Sequence, residues 1–133
     1  LPITGTGEET RDFTYVLDLV QGLIKAAFYE EAIGQAFNLA SGKETKIKDM
    51  ISMVNNATGN STPITQYPPR KWDTKKRLLA SIELAGKLID YKPIVSFEDG
   101  LKSNFNWFNN NWDKIQQAAD FPVGMSSAVR KKQ

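Results

Sequence analysis

Apolar residues recur every three or four positions in four stretches of the chain, the spacing that places them on one face of an α-helix. The stretches lie around residues 16–28, 47–54, 82–89 and 97–108. Ser96, with an acid three residues later, forms a capping-box-like start for the last of them. The asparagine run at 109–111 is poor helix material and predicts a break. The pattern therefore predicts four helices.

Short segments outside these stretches predict about three strands. They are 1–4, which a glycine turn follows, 36–40 and 63–67. The first proline of the last segment suits an edge strand, because a proline there removes no interior hydrogen bond. Three such strands are too few for a complete doubly wound sheet, and Gly5-Thr6-Gly7 lacks the third glycine of a dinucleotide-binding fingerprint. We therefore predict an α+β fold, either a compact domain or part of a larger one.

The composition of the chain narrows the range of possible functions. The 133 residues, 41% of them hydrophobic, suffice for one domain with a core. A net charge of +2, from 17 basic and 15 acidic side chains, argues against a nucleic acid partner. The absence of cysteine and histidine excludes disulfides, thiolate nucleophiles, thiol or imidazole metal sites and Ser-His-Asp triads. No apolar run approaches membrane-spanning length, so we expect a cytoplasmic protein without a membrane partner. We also expect residues 119–133 to form an irregular tail.

The strongest candidate chemistry lies at Arg11 and Arg70, each of which stands near an acid and an aromatic residue. A guanidinium forks two hydrogen bonds onto an anionic oxygen ligand such as a diphosphate. Asp12 follows Arg11 directly, so a surface ion pair of little energetic value is as compatible with the sequence as an anion site. Arg70 has a similar neighbour in Asp73, but the two prolines before it restrict the backbone and pre-organise the loop.

Tyr67 and Lys71 match the Tyr-x-x-x-Lys pattern of short-chain dehydrogenases. That chemistry needs both side chains on one face of a helix, where the ammonium lowers the pKa of the phenol. Pro68 and Pro69 exclude a helical turn at this place, so the match is accidental. No catalytic residue and no metal site is predicted in the chain.

Taken in order, the motifs of the chain resemble those of a known family. They are Gly7-x-x-x-Arg11-Asp12-Phe13-Thr14-Tyr15-Val16-x-Asp18, Phe37-Asn38-Leu39-Ala40-Ser41-Gly42, Arg70-x-x-Asp73, Ser81-Ile82-Glu83-Leu84-Ala85, Leu88-Ile89-Asp90-Tyr91-Lys92-Pro93 and Ser96-Phe97-Glu98-Asp99-Gly100-Leu101. This order resembles the C-terminal part of the NAD-dependent nucleotide-sugar epimerases and dehydratases, extended short-chain dehydrogenases such as the UDP-glucose 4-epimerases. The resemblance covers about residues 5 to 112.

The resemblance implies roles for individual residues. Arg11 and Arg70 would bind the diphosphate of a nucleotide sugar, and Asp73 would lie near the ribose hydroxyls. The strand containing Asn38 would join the edge of a cofactor-domain sheet, which makes Asn38 structural. The family usually has glycine where Asp90 stands.

The family's N-terminal half, with its NAD-binding glycine loop and its Ser/Thr-Tyr-Lys catalytic set, has no counterpart in these residues. The resemblance therefore implies that 1–133 is a substrate-binding domain that normally completes and packs on a Rossmann domain. Its ligand would be a nucleotide-diphosphate sugar, such as a UDP-sugar. NAD would belong to the parent enzyme, and this chain alone would bind no cofactor and be inactive. The alternative is a non-catalytic interaction module that keeps the fold without the ligand and associates with itself.

Overall fold

The computed structural model describes residues 2–72 and 74–118. Its helices are α1 (Val16–Phe28), α2 (Ile47–Thr58), α3 (Glu83–Ile89) and α4 (Phe97–Ala118). Its strands are β1 (Pro2–Thr4), β2 (Thr10–Arg11), β3 (Thr45–Lys46) and β4 (Thr65–Tyr67), and a 3₁₀ turn spans Glu30–Ala32. The predicted α+β class is therefore confirmed. The predicted tail, 119–133, lies outside the described residues.

The strands form two small sheets. β1 and β4 pair in parallel, with Ile3 opposite Gln66, and β2 and β3 pair antiparallel, with Thr10 opposite Lys46. Thr10 also forms a parallel bridge to Arg77, so β2 lies between β3 and the segment around residue 77. Both sheets join segments that are distant in sequence, and they set the positions of the loops that follow β1 and β4.

The core lies between α1, α3 and the segment 37–40. Ala85 and Ile89 are completely buried, and Tyr91 beside them donates a hydrogen bond of 3.1 Å to the carbonyl of Ala40. Half-buried side chains from α1, the 3₁₀ turn and the segment before residue 40 pack on this cluster. The helices predicted at 16–28, 47–54, 82–89 and 97–108 are thus present, and α2 ends at Thr58, with Gly59 after it in the left-handed conformation.

The predicted break at 109–111 is wrong, because α4 continues through the asparagines to Ala118. Each asparagine costs only about half a kcal/mol relative to a better helix former. Within the run, Asn111 is itself half-buried, and its side chain donates to the carbonyl of Trp107 one turn earlier at 2.9 Å, which is compatible with a continuous helix. Among the described residues, no helix has the combination of length and apolarity needed to cross a membrane.

The segment 36–40, predicted as a strand, does not form one among the described residues. Phe37 and Leu39 face the core while Ala36 and Asn38 are exposed, so the alternation typical of a strand is present. A strand also needs a neighbour for its backbone hydrogen bonds, and in the described part of the chain none pairs with this segment. Asn38 instead donates through its side chain to the carbonyl of Ser81, at 3.2 Å, which agrees with a structural role.

Candidate functional site

Arg11 and Arg70, about 60 residues apart in sequence, line one cavity of about 440 Å³. Helix α2 and strand β1 give this cavity an apolar wall. The wall consists of Ile3, Ile47, Met50, Ile51 and Val54. The fold thus brings both predicted arginines to one site, beside a surface suited to an uncharged ring. Asp73, the third predicted residue, lies outside the described residues.

Arg11 is held by the strand that carries it. The backbone N–H of Thr10 donates to the carbonyl of Lys76 at 2.9 Å, and the Arg11 guanidinium donates to the carbonyl of Thr10 at 2.7 Å. Glu44 accepts hydrogen bonds from the Thr10 hydroxyl at 2.6 Å and from two nitrogens of Arg77 at 2.8 Å. The Arg77 guanidinium and the Thr10 hydroxyl lower the pKa of Glu44, so the carboxylate stays charged at neutral pH. This bidentate pair fastens β2 to its neighbour while Arg11 remains on the cavity wall.

The hydrogen-bond partners of Asp12 distinguish between the two interpretations that the sequence left open for Arg11, a surface ion pair and an anion site. Its carboxylate accepts hydrogen bonds from the backbone N–H groups of Ser41, at 2.9 Å, Gly42, at 3.0 Å, and Ala80, at 3.4 Å. The Ser41 hydroxyl donates to it as well. Asp12 therefore serves as an anchor for two distant loops, and Arg11 is available to the cavity.

Arg70 follows a loop whose start is fixed by the parallel sheet. The N–H of Gly5 donates to the carbonyl of Tyr67 at 3.0 Å, and the Gln66 side chain donates to the carbonyl of Gly5 at 2.7 Å. The Arg70 guanidinium lies 5.8 Å from the ring centroid of Trp72, a cation–π contact. Tyr67 belongs to a strand and Lys71 to a turn, so they do not share a helix face, as expected from the prolines between them.

The sequence did not single out two charged residues on the same cavity, Glu9 and Lys75. Glu9 folds back over the turn that begins at Gly5, where its side-chain oxygen lies 3.4 Å from both the N–H and the hydroxyl of Thr6. Its own backbone N–H, followed by those of the turn, lowers the pKa of the Glu9 carboxyl. Glu9 lies two residues before Arg11, and Lys75 lies five residues after Arg70. Their closeness in sequence to the arginines was the one feature that could have marked them as residues of the same site.

A second cavity of about 930 Å³ adjoins the first and shares Gly5, Glu9 and Pro69 with it. Tyr67 and Lys76 line its other side. The two cavities form one extended concave surface on both sides of the glycine turn.

The chain is similar to known proteins both in sequence and in structure. No protein-family model matches the chain. It is 31% identical over 112 residues to a bifunctional UDP-glucose 4-epimerase and UDP-xylose 4-epimerase of Arabidopsis thaliana, a match covering 81% of this chain and 32% of that protein. An epimerase of Methanothermobacter thermautotrophicus superposes with a TM-score of 0.86 and 47% identity, over 89% of this chain and 35% of that one.

The Bordetella bronchiseptica enzyme WbmF, solved in complex with NAD⁺ and UDP, superposes with a TM-score of 0.74 and 37% identity. That match covers 88% of this chain and 34% of the enzyme. The chain therefore spans about a third of the length of the relatives it matches. These matches confirm the resemblance seen in the motifs: the chain is a relative of the NAD-dependent nucleotide-sugar epimerases and dehydratases, consistent with the C-terminal part of such an enzyme.

Proposed function

We propose that this chain is the nucleotide-sugar-binding portion of an NAD-dependent sugar epimerase or dehydratase, with a UDP-sugar as its ligand. Arg11 and Arg70 bind the diphosphate. One observation carries the proposal, namely that two arginines about 60 residues apart meet on one cavity. The UDP complex of the similar WbmF enzyme supports the choice of nucleotide.

The chemistry of the cavity supports a ligand with a charged and an uncharged part. Guanidinium groups bind phosphate oxygens through paired, charge-assisted hydrogen bonds. The apolar side chains of α2, including Ile47 and Met50, offer a surface on which an uncharged ring can pack. A nucleoside diphosphate has both parts, a base and a diphosphate, in one molecule.

Calorimetric titration of the chain with UDP tests the proposal. Arg11→Ala and Arg70→Ala should each weaken binding by about 10- to 100-fold, because each removes charge-assisted hydrogen bonds to the diphosphate. Lys102→Ala is the control, since it removes an exposed cation that pairs with Glu98 on α4. Circular dichroism establishes that each variant is folded. Heat no greater than that of dilution, in a folded wild-type chain, would contradict the proposal.

Asp73 completes the proposed site by accepting a hydrogen bond from a ribose hydroxyl. Asp73→Ala should weaken UDP binding by about 3- to 30-fold and should have a much smaller effect on 2′,3′-dideoxy-UDP. Equal losses for both nucleotides would exclude a role at the ribose.

In the parent enzyme, bound NAD would accept a hydride from a sugar carbon and return it, giving epimerisation or dehydration. The cofactor-binding and catalytic residues belong, in this proposal, to a part of the enzyme outside these 133 residues. The contribution of Arg11 and Arg70 is to hold the nucleotide, so that binding energy far from the reacting carbon orients the sugar. We expect no turnover from this chain by itself with NAD and a UDP-sugar.

A second candidate function, a non-catalytic interaction module, is favoured by the outer face of α1. Leu17, Leu23 and Ile24 are each more than half exposed, and Phe28 is 82% exposed. Such a face suits either a cofactor-binding domain or a second copy of the chain. Arg11→Ala with Arg70→Ala separates the two functions, because an interaction module would keep its partner binding in that variant.

A further inference from the structure

Four charged side chains among the described residues line the cavity that contains Arg11 and Arg70. The proposed function assigns roles to the two arginines alone. Glu9 and Lys75, which complete the set, have none so far. Their opposite charges, facing the same small space, need an explanation, because each changes the potential that an anionic ligand meets.

The negative charge of Glu9 opposes the binding of an anion in this cavity. The Glu9 carboxylate is bonded to the residue's own backbone N–H and to the Gly5–Gly7 turn, and these N–H groups hold the pKa of the Glu9 carboxyl below the ordinary value, so it is charged at neutral pH. It contributes to the turn geometry, which explains its presence. The same carboxylate places a negative charge on the wall of the proposed diphosphate site, where it repels the ligand and weakens binding.

Lys75 offsets that charge. Among the described side chains that line the cavity, Lys75 adds a third positive charge on the wall that also carries Glu9. The diphosphate of a nucleotide sugar carries two negative charges, which Glu9 repels and a further cation on this wall attracts. A lysine suits this task because its ammonium is a point charge on a flexible stem and needs no fixed geometry.

We propose that Lys75 is the third cation of the diphosphate site and that Glu9 is its electrostatic counterpart, so that this pair sets the strength of diphosphate binding. The inference rests on the proposed function. It adds Lys75 as a further binding residue and Glu9 as a residue that both shapes the turn and weakens anion binding. The two side chains therefore act on ligand affinity with opposite signs.

Titration of the chain with UDP, in the wild type and in isosteric neutral variants, tests this inference. Lys75→Gln should weaken UDP binding by about 3- to 10-fold, and Glu9→Gln should tighten it by about 2- to 5-fold. Glutamine keeps the oxygen that Thr6 donates to, so the turn is retained in the Glu9 variant. The double variant should return to within about 2-fold of the wild-type affinity.

Lys71→Gln is the matched control, because Lys71 is an exposed lysine of the same loop that is not among the lining residues of either cavity. It should change the affinity by less than about 2-fold at 0.15 M salt, where charges at a distance are screened. The effects of Lys75→Gln and Glu9→Gln should both shrink for UMP, which carries one phosphate fewer.

The outcomes separate this inference from the function on which it rests. A folded wild-type chain that does not bind UDP overturns both. UDP binding that depends on Arg11 and Arg70, but that Lys75→Gln alters no more than Lys71→Gln does, overturns the inference alone. Weaker binding in Glu9→Gln, with a folded chain, would also overturn it, because the carboxylate would then be helping the ligand.

Discussion

Two aspartates of this chain bind main-chain amides rather than cations. Asp12 holds the loops at residues 41–42 and 80. Asp18, in the first turn of α1 and only 4% exposed, accepts hydrogen bonds from the N–H groups of Ile94 at 3.2 Å and Val95 at 3.0 Å. Charged acceptors of this kind make stronger hydrogen bonds than neutral ones. Each aspartate therefore joins segments that are distant in sequence.

Asp18→Ala should lower the free energy of unfolding by about 2–4 kcal/mol, because it leaves two inward-facing amides without an acceptor. Asp49→Ala is the matched control, since Asp49 also lies in the first turn of a helix but is exposed. Its loss should cost less than about 1 kcal/mol. Urea unfolding measures both. Similar losses in the two variants would mean that the bonds to residues 94 and 95 contribute little.

Glu8 should make part of the stability depend on pH. Hydrogen bonds from Lys48 and then Lys46 lower the pKa of the Glu8 carboxyl from 4.5 to about 2. A carboxyl whose pKa is lower in the folded state contributes stability above its unfolded pKa, and that stability is lost as the pH falls through the folded value.

The difference in urea midpoint between the wild type and Glu8→Gln should therefore be largest above pH 5 and should shrink between pH 4.5 and about 2. Glu31→Gln, at an exposed position of the 3₁₀ turn, provides the control. A difference that stays constant over this pH range would rule out a pairing with the lysines.

At the scale of elements, α1 and the core meet at Gly22. A Cβ atom at this position would lie 2.8 Å from a methyl of Leu39 and 2.8 Å from the ring of Tyr91. The ring has little freedom to move, because it is 3% exposed and its hydroxyl is bonded to Ala40. The missing side chain of glycine therefore permits the close approach of the helix.

Gly22→Ala should destabilise the fold by about 1–3 kcal/mol through overpacking, although alanine favours a helix by about 1 kcal/mol. Gly86→Ala in α3 should have the opposite effect and stabilise by up to about 1 kcal/mol. A Cβ there would meet its nearest atom, the carbonyl oxygen of Tyr91, at an ordinary 3.7 Å. Thermal unfolding of the two variants compares the signs. A stabilised Gly22→Ala variant would mean that the contact is loose.

The elements that the sequence predicted correctly are those whose signals are local. α1, α2 and α3 follow the apolar spacing, and the strand at β4 begins soon after Pro63. The predictions failed where the structure of a segment depends on its contacts with distant parts of the chain. Among the described residues no strand lies beside the segment 36–40, although it has the alternation of one, and α4 passes through its asparagines, where Asn111 bonds to the carbonyl of Trp107.

At the scale of the whole molecule, the exposed apolar face of α1 should promote association. We expect concentration-dependent self-association in sedimentation velocity, because large apolar patches are favourable to bury. Leu17→Lys with Ile24→Lys should abolish it, and since both side chains are more than half exposed the melting temperature should change little. Ser103→Lys, an added charge at an exposed polar position of α4, should leave association unchanged. A wild-type chain that stays monomeric at several hundred micromolar would contradict this expectation.

The sequence by itself determined the four helices, apart from the C-terminal extent of the last, the approximate strand content and the presence of two arginines with anion-binding chemistry. Periodicity, prolines and residue type carry this information locally. Only the tertiary structure decided that Arg11 and Arg70 share a cavity with Glu9 and Lys75, and that Asp12 binds distant amides instead of its neighbour. These relations depend on β2 and β4 being placed by partners tens of residues away, and contacts over such separations leave no periodic pattern in a single sequence.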